Sequence, residues 1–306
     1  MLEAIKADPD YEHRQGYDPS FLGVPVALPR LANAVRAKAF KRPGVTGSAA
    51  YELAYHHFSV IMNQEARLAF VAAVNYDAAA EFKQTRVDGD RWFRDPRLDE
   101  SLQAGNEFYT DNPLDRGHLV RRTDAAWGST AEEAKRANDD TFHFTNCTPQ
   151  HEVFNQAKLA KKQDLLLWGN IEEHIAAQAA VTRQRLSIFN GPVFRSTDRL
   201  HRGLGVPKEF WKIVVYGTGR DGVNAVNAVA FILSQQGLIA NLPLEEFAVG
   251  PYRPYQVKVR EIEARTKLDF GGLRAVDPLE DERHEAAFEA RSDAVPLTSL
   301  SNIIIT

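Results

Sequence analysis

Cysteine is almost absent from this chain: Cys147 is the only one in 306 residues. One thiol excludes an intrachain disulfide and any zinc site built from several cysteines. A lone Cys of this kind reads first as a small buried residue. Long apolar runs are missing too. No stretch of 18 apolar residues occurs, so no membrane-spanning helix is expected. The first residues, Met1-Leu2-Glu3-Ala4-Ile5-Lys6-Ala7-Asp8, carry acids and no apolar segment, which does not read as a Sec signal peptide. The expected location is therefore cytoplasmic, or outside by a route other than Sec. Positive charge is not in excess either: 37 Lys and Arg face 41 Asp and Glu, a formal net charge of −4. That argues against a general nucleic-acid coat protein. It does not exclude an enzyme whose cleft is locally positive. No P-loop, dinucleotide fingerprint or Ser-His-Asp arrangement stands out. His13, His56, His57, His143, His151, His174, His201 and His284 lack the spacing of a zinc site.

What is present fits a globular protein, at 44% hydrophobic and 25% charged residues. The length suits one large domain with extensions or two small ones. Residues 1–50 are rich in turn signals and read as an N-terminal arm. Residues 51–275 read as the domain proper, and 276–306 as a C-terminal extension whose 280–291 stretch is charged and helix-prone. Phe58–Asn63 and Leu68–Asn75 predict a hairpin. Residues 81–112 read as a long surface excursion. A helix is expected over 130–138, capped by Ser129 or Thr130, and another over about 164–180. Strands are expected over 141–145, 185–189, 210–216 and 225–233, and Ile303-Ile304-Ile305 is strand-like. Asn190-Gly191-Pro192 and 217–222 read as turns. Strands in succession with inserted helices predict an α+β fold, a mostly antiparallel sheet with helices packed on it.

The chemistry concentrates in Asp115-Arg116-Gly117-His118, followed by Leu119-Val120-Arg121-Arg122. A guanidinium two positions from an imidazole can grip a phosphate and deprotonate a water beside it. About thirty residues later come Phe144-Thr145-Asn146-Cys147-Thr148-Pro149-Gln150 and Phe154-Asn155-Gln156. Two clusters of cations flank these blocks: Lys83, Arg86, Arg91, Arg94 and Arg97, then Arg116, Arg121 and Arg122. Either could be a solvated face or a phosphate-binding surface.

The two blocks, in this order and at this separation, resemble the DNA/RNA non-specific endonuclease family, across roughly residues 50 to 275. The resemblance implies a ββα-metal unit made of strand, His, strand, Asn and helix. It implies hydrolysis of phosphodiester bonds in DNA and RNA with little sequence preference, leaving 5′-phosphate ends. His118 falls on the family's general base, and an imidazole of ordinary pKa near 6.5 suits that task. Arg116 would hold the phosphate, with Arg91 or Arg94 as the upstream partner and Arg121 and Arg122 as further contacts. Asn155 falls on the family's metal ligand, and an amide oxygen suits Mg²⁺, with Mn²⁺ as a substitute. Asp115 would orient Arg116 or the local backbone, and Asn146 and Gln150 would shape the site by hydrogen bonds.

The chain departs from the family at one point. A glutamate usually lies eight residues after the metal asparagine, within Trp-x-x-x-Glu. Here that position is Gln163, and Trp168-Gly169-Asn170-Ile171-Glu172 supplies the pattern nine residues later. A continuous helix would carry Glu172 about 25 Å from Asn155. The expectation is therefore a break within Lys158–Asp164 that returns Glu172 to the metal. A non-catalytic nucleic-acid-binding relative and an effector nuclease restrained by an inhibitory partner are the rival readings. In the second, the arm and the tail would be docking elements. A homodimer is left open.

Overall fold

The computed structural model describes residues 6–82, 91–162, 165–218, 225–240, 254–281, 294–297 and 299–304. Its centre is an antiparallel sheet of eight strands. Their order is Ala294–Pro296, Tyr255–Val257, Val226–Ser234, Glu209–Gly217, Arg185–Val193, Leu68–Asp77, Phe58–Asn63 and Leu53–Ala54. The predicted hairpin is there, joined at residues 64–67. So are the two strands expected near 210 and 225.

These strands read as unbroken apolar runs because both faces of the sheet are covered. Phe210, Val214, Val229 and Phe231 point into one core, with Trp168 and Ile171. Their neighbours Trp211, Ile213, Ala230 and Ile232 point into the other, with Val259, Ile262 and Phe270. Alternate residues serve opposite layers, as a side-chain period of two requires. Each large side chain enclosed in this way contributes roughly 1.5–3 kcal/mol. A third, smaller core beneath the site gathers Trp92, Phe108, Tyr109, Leu114, Phe142, Phe144 and Cys147.

Several expectations need correction. Residues 141–145 are not a strand. They form a tight turn and a 3₁₀ helix, Phe144–Asn146, and the strand is Cys147–His151. Their alternation reflects burial on all sides, since Thr141 to Asn146 are all enclosed. Asn190-Gly191-Pro192 is not a turn, because the strand runs on to Val193. Gly191 is there for close approach: a Cβ would strike Phe70 O and the Trp211 ring. Pairing with Leu68–Asp77 ends at Asn190, so Pro192 faces a partner on one side only, where a missing N–H costs no ladder bond. The excursion over 81–112 is only partly surface, because Trp92, Ala104, Phe108 and Tyr109 are buried. Lys83, Arg86 and the turn at 88–90 lie outside the described residues, as do most of the 217–222 turn and the helix-prone stretch beyond 281. Ile303 and Ile304 are not in a strand; Ile304 is instead bonded through both backbone atoms to the Gln256 side chain.

The two predicted helices form over Ala131–Asp140, capped by Thr130, and over Trp168–Thr182. The described part of the expected arm packs on the domain. Arg30–Leu31 pairs with Leu268–Asp269, and Tyr17, Val26, Leu31 and Val35 join the second core. No described helix is long and apolar enough to cross a membrane.

Candidate active site

Leu114–His118 and Cys147–His151 form a separate two-stranded ribbon, in register from Leu114 against His151 to His118 against Cys147. The chain then turns into the short helices Glu152–Asn155 and Ala157–Lys162. This is the strand, His, strand, Asn, helix order expected from the sequence. The ribbon and helices enclose a cavity of about 360 Å³, lined by Trp92, Asp115, Arg116, His118, Arg121, Arg122, Thr123, Asn155, Gln156, Ala157, Gly169, Glu172 and Glu173.

His118 is half-buried at the end of its strand. Its ring sits 4.6 Å from that of Trp92 and 4.9 Å, edge-on, from that of Phe142. The backbone beyond it is clamped by Asn146. That amide accepts from Val120 N at 2.9 Å and donates to Val120 O at 2.9 Å and Thr141 O at 3.0 Å. Gly117 is needed for a reason other than a sharp turn, because a Cβ there would run into the Gln150 side chain. Gln150 is fully enclosed, and neither of its amide atoms finds a hydrogen-bond partner among the described residues. Beside it Cys147 is buried, and burial pushes its thiol up to about 12, which leaves it an inert packing residue.

Arg116 donates from Nε to Asn106 Oδ1 at 3.0 Å, and its guanidinium lies 5.5 Å from the centre of the Tyr109 ring. Asp115, expected to orient Arg116 or the local backbone, reaches two amide side chains of the segment that follows the ribbon. Its Oδ2 accepts from Asn155 Nδ2 at 2.9 Å and from Gln156 Nε2 at 2.8 Å. An ionised carboxylate can only accept, so the Asn155 amide must present its NH₂ to Asp115. Oδ1 is thereby left as the end available to a cation.

Asn155 and Glu172 meet at the cavity because the chain breaks between them. The helix Ala157–Lys162 ends, residues 165–167 belong to no helix or strand, Leu167 being extended, and a new helix starts at Trp168. Gly169 lets that helix press on the Asn155–Ala157 backbone, where a Cβ would lie 2.5 Å from Asn155 O and from Ala157 N. Glu172, one turn on, is brought to the cavity wall, while Gln163 lies outside the described residues. Glu172 is buried beside Lys212 Nζ at 3.4 Å and Arg121 Nε at 3.6 Å, and Arg121 Nη1 also donates to its backbone carbonyl at 3.1 Å. Burial raises its carboxyl to about 7; Lys212 and Arg121 oppose that rise, and the buried Asp124 adds to it.

No group of three or more His, Cys, Asp or Glu among the described residues could hold a metal ion. A cage of carboxylates or imidazoles is thus not what this cavity offers. One oriented amide oxygen with one carboxylate is a hard donor set, suited to a Mg²⁺ that keeps most of its waters.

The flanking cations divide. Arg116, Arg121 and Arg122 all line the cavity. Arg121 is committed to Glu172 and Asp124. Of the upstream cluster, Lys83 and Arg86 lie outside the described residues, and its described members are engaged with neighbours. Arg94 is paired with Glu100 and Glu107, Arg97 is enclosed against Asp95, and Arg91 lies over the Phe93 ring. Neither Arg91 nor Arg94 lines the cavity; Trp92, one of the two residues between them, does.

Sequence reasoning passed over Lys212, which read as part of a structural strand. The signal was there: a lysine inside Phe210-Trp211-Lys212-Ile213-Val214, on the same face as Phe210 and Val214, has to find a buried partner. It also donates to Asn190, its register partner on the next strand.

Comparison with known proteins gives the family of the chain. Residues 36–275 match the family model for DNA/RNA non-specific endonucleases. The chain is 38% identical over 274 residues to a protein of Sinorhizobium fredii described as uncharacterized, covering 85% of this chain and 39% of that one. It is 30% identical over 183 residues to a nuclease of Nostoc sp., 57% of this chain and 58% of that one. It is 28% identical over 216 residues to human mitochondrial endonuclease G, 63% of this chain and 64% of that one. The chain therefore spans less than two thirds of the length of these relatives. A crystal structure of an EndoG/EndoGI complex shares the fold, with a TM-score of 0.52 at 16% identity over 74% of this chain and 86% of that one. The chain belongs to the DNA/RNA non-specific endonuclease family.

Proposed function

We propose that this chain is a metal-dependent endonuclease that hydrolyses phosphodiester bonds of DNA and RNA with little sequence preference. The observation that carries the reading is the convergence of His118, Arg116, Asn155 and Glu172 on one cavity from three separate segments.

His118 takes the proton from the attacking water, its ring packed against Trp92 and Phe142. Arg116 holds the scissile phosphate by charge-assisted hydrogen bonds. Asn106 and Tyr109 restrain its guanidinium from behind. Arg122 adds positive charge along the same wall. Asp115 keeps the Asn155 amide turned so that oxygen, not nitrogen, faces the cavity. Asn155, with Glu172 beside it, would hold Mg²⁺, or Mn²⁺ in its place, which supplies charge neutralisation for the phosphate and the departing 3′-oxygen. Asn146 and Gln150 shape the ribbon that carries the imidazole.

The test is a digestion panel of single- and double-stranded DNA and RNA with Mg²⁺, with and without EDTA. Cleavage of several of these substrates that stops with EDTA is expected. No cleavage of any substrate under any metal condition would leave the non-catalytic binding relative as the better reading.

A further inference from the structure

We propose that residues 8–14 are a positioning element for the imidazole of His118, acting through Arg14 and Tyr11 on the segment Asp140–Asn146; this rests on the proposed role of His118 as the base. The segment lies ahead of residue 36, where the family match begins.

Arg14 is the centre of the contact. Its side chain and that of Asp140 are 0% and 1% exposed. Nε reaches Asp140 Oδ2 and Nη2 reaches Oδ1, both at 2.8 Å, in a two-pronged pairing that a carboxylate and a guanidinium make best. The remaining donors close the arm on itself, from Nη1 to Asp10 O at 3.0 Å and from Nη2 to Asp8 O at 2.9 Å. Tyr11 stacks on the guanidinium, 3.7 Å from its ring centre. Its hydroxyl then meets His143 Nε2 at 2.7 Å. His143 Nδ1 lies 2.8 Å from Asp140 O, a carbonyl that can only accept. Nδ1 therefore carries the proton, and Nε2 accepts from Tyr11.

The segment held in this way builds the seat of His118. Phe142 stands edge-on to the His118 ring. Phe93 is bonded on both sides to the segment, N to Phe142 O at 2.9 Å and O to Phe144 N at 2.8 Å, which places the adjacent Trp92 against both the His118 ring and Phe142. Asn146 clamps Leu119 and Val120 directly after His118. Three restraints on the imidazole thus hang from one short stretch, and the stretch is anchored at Asp140 and His143 by the arm. A tight hold on a reacting group matters because small displacements cost rate steeply.

This predicts an effect on turnover rather than on substrate affinity, since no arm residue lines the cavity. The test uses full-length Arg14→Met, Arg14→Lys and Tyr11→Phe, with kcat and KM on a defined DNA duplex. The His118 ring NMR signals, assigned by their loss in His118→Ala, are read at a temperature where circular dichroism shows each variant folded. Arg14→Met is expected to lower kcat about tenfold or more, keep KM within about twofold, and move the His118 ring signals. Arg14→Lys, which keeps the charge but not the two-pronged geometry, should fall between. If Arg14→Met does not fold, Tyr11→Phe decides, because it keeps the stacked ring and removes only the hydroxyl given to His143. A wild-type kcat in the deciding variant, a change confined to KM, or a fall in kcat with unmoved His118 signals would overturn the proposal. Retained cleavage by His118→Ala would instead overturn the role of His118.

Discussion

Lys212 Nζ lies 3.4 Å from Glu172 Oε1, and both side chains are almost wholly enclosed. Burial governs this pair more than attraction does. It lifts the glutamate to about 7 and lowers the lysine, and each charge only partly offsets the shift of the other. Breaking such a pair from one side strands a buried charge, at a cost of about 3–5 kcal/mol, whereas removing both can be nearly neutral. Lys212→Met should therefore be strongly destabilising. Lys212→Met with Glu172→Gln should recover much of the loss in urea unfolding. Strictly additive losses would show that Arg121, rather than Lys212, satisfies the carboxylate.

The general base is tested most directly. His118→Ala should lower turnover by about 10²–10⁴-fold and leave the unfolding midpoint near that of the parent, since the ring is only half-buried. Near-normal cleavage by a folded variant would remove His118 from the chemistry.

Asp115 gives a finer test, because it acts on the orientation of another side chain. Asp115→Asn can still bond Asn155 but no longer dictates which end of that amide faces inward. Partners that orient a ligand typically contribute 10–100-fold in metal affinity. Mn²⁺ affinity by calorimetry should fall by about that factor, with smaller effects on DNA binding. Unchanged Mn²⁺ affinity would sink the assignment of Asn155 Oδ1 as the donor.

The sequence carried the fold class and the order of the site well, for a physical reason. The ribbon residues Asp115 to His118 and Cys147 to Gln150 pair with one another in register, so the order of the two blocks encodes their geometry. Strands buried on both faces also announce themselves as apolar runs. What escaped was fixed by long-range packing. Lys212 meets Glu172 only once the central sheet and the helix after Leu167 are assembled. Arg94 and Arg97 looked like a cationic face until Glu100, Glu107 and Asp95 folded onto them. Gly191 looked like a turn because the reason for it, the Phe70 carbonyl, lies over a hundred residues away in sequence.

The buried His143 predicts how the fold responds to acid. Burial lowers its pKa from 6.5, against the pull of Asp140 and Asp95, and Arg14 lowers it further. A histidine held neutral in the fold and free to charge when unfolded contributes stability that is fully present above 6.5. That stability is lost as pH falls through the lower, folded value, because the unfolded chain binds the extra proton. His57 and His151 are shifted the same way by burial and add to the slope. Asp140 and Asp95 are lowered from 3.8, so their losses come at more acid pH and do not overlap the histidine window. His143→Gln keeps one donor and one acceptor and cannot titrate. It should be less stable than the parent near neutral pH, because Tyr11 and the Asp140 carbonyl lose their fitted partner. Below pH 6.5 its stability should fall less steeply, by up to about 1.4 kcal/mol per pH unit, the slope of one proton. Urea unfolding of the two proteins at several pH values between about 5 and 8 measures this. Parallel slopes would mean that His143 is charged in the folded protein, and that Tyr11 cannot then be donating its hydroxyl proton to it.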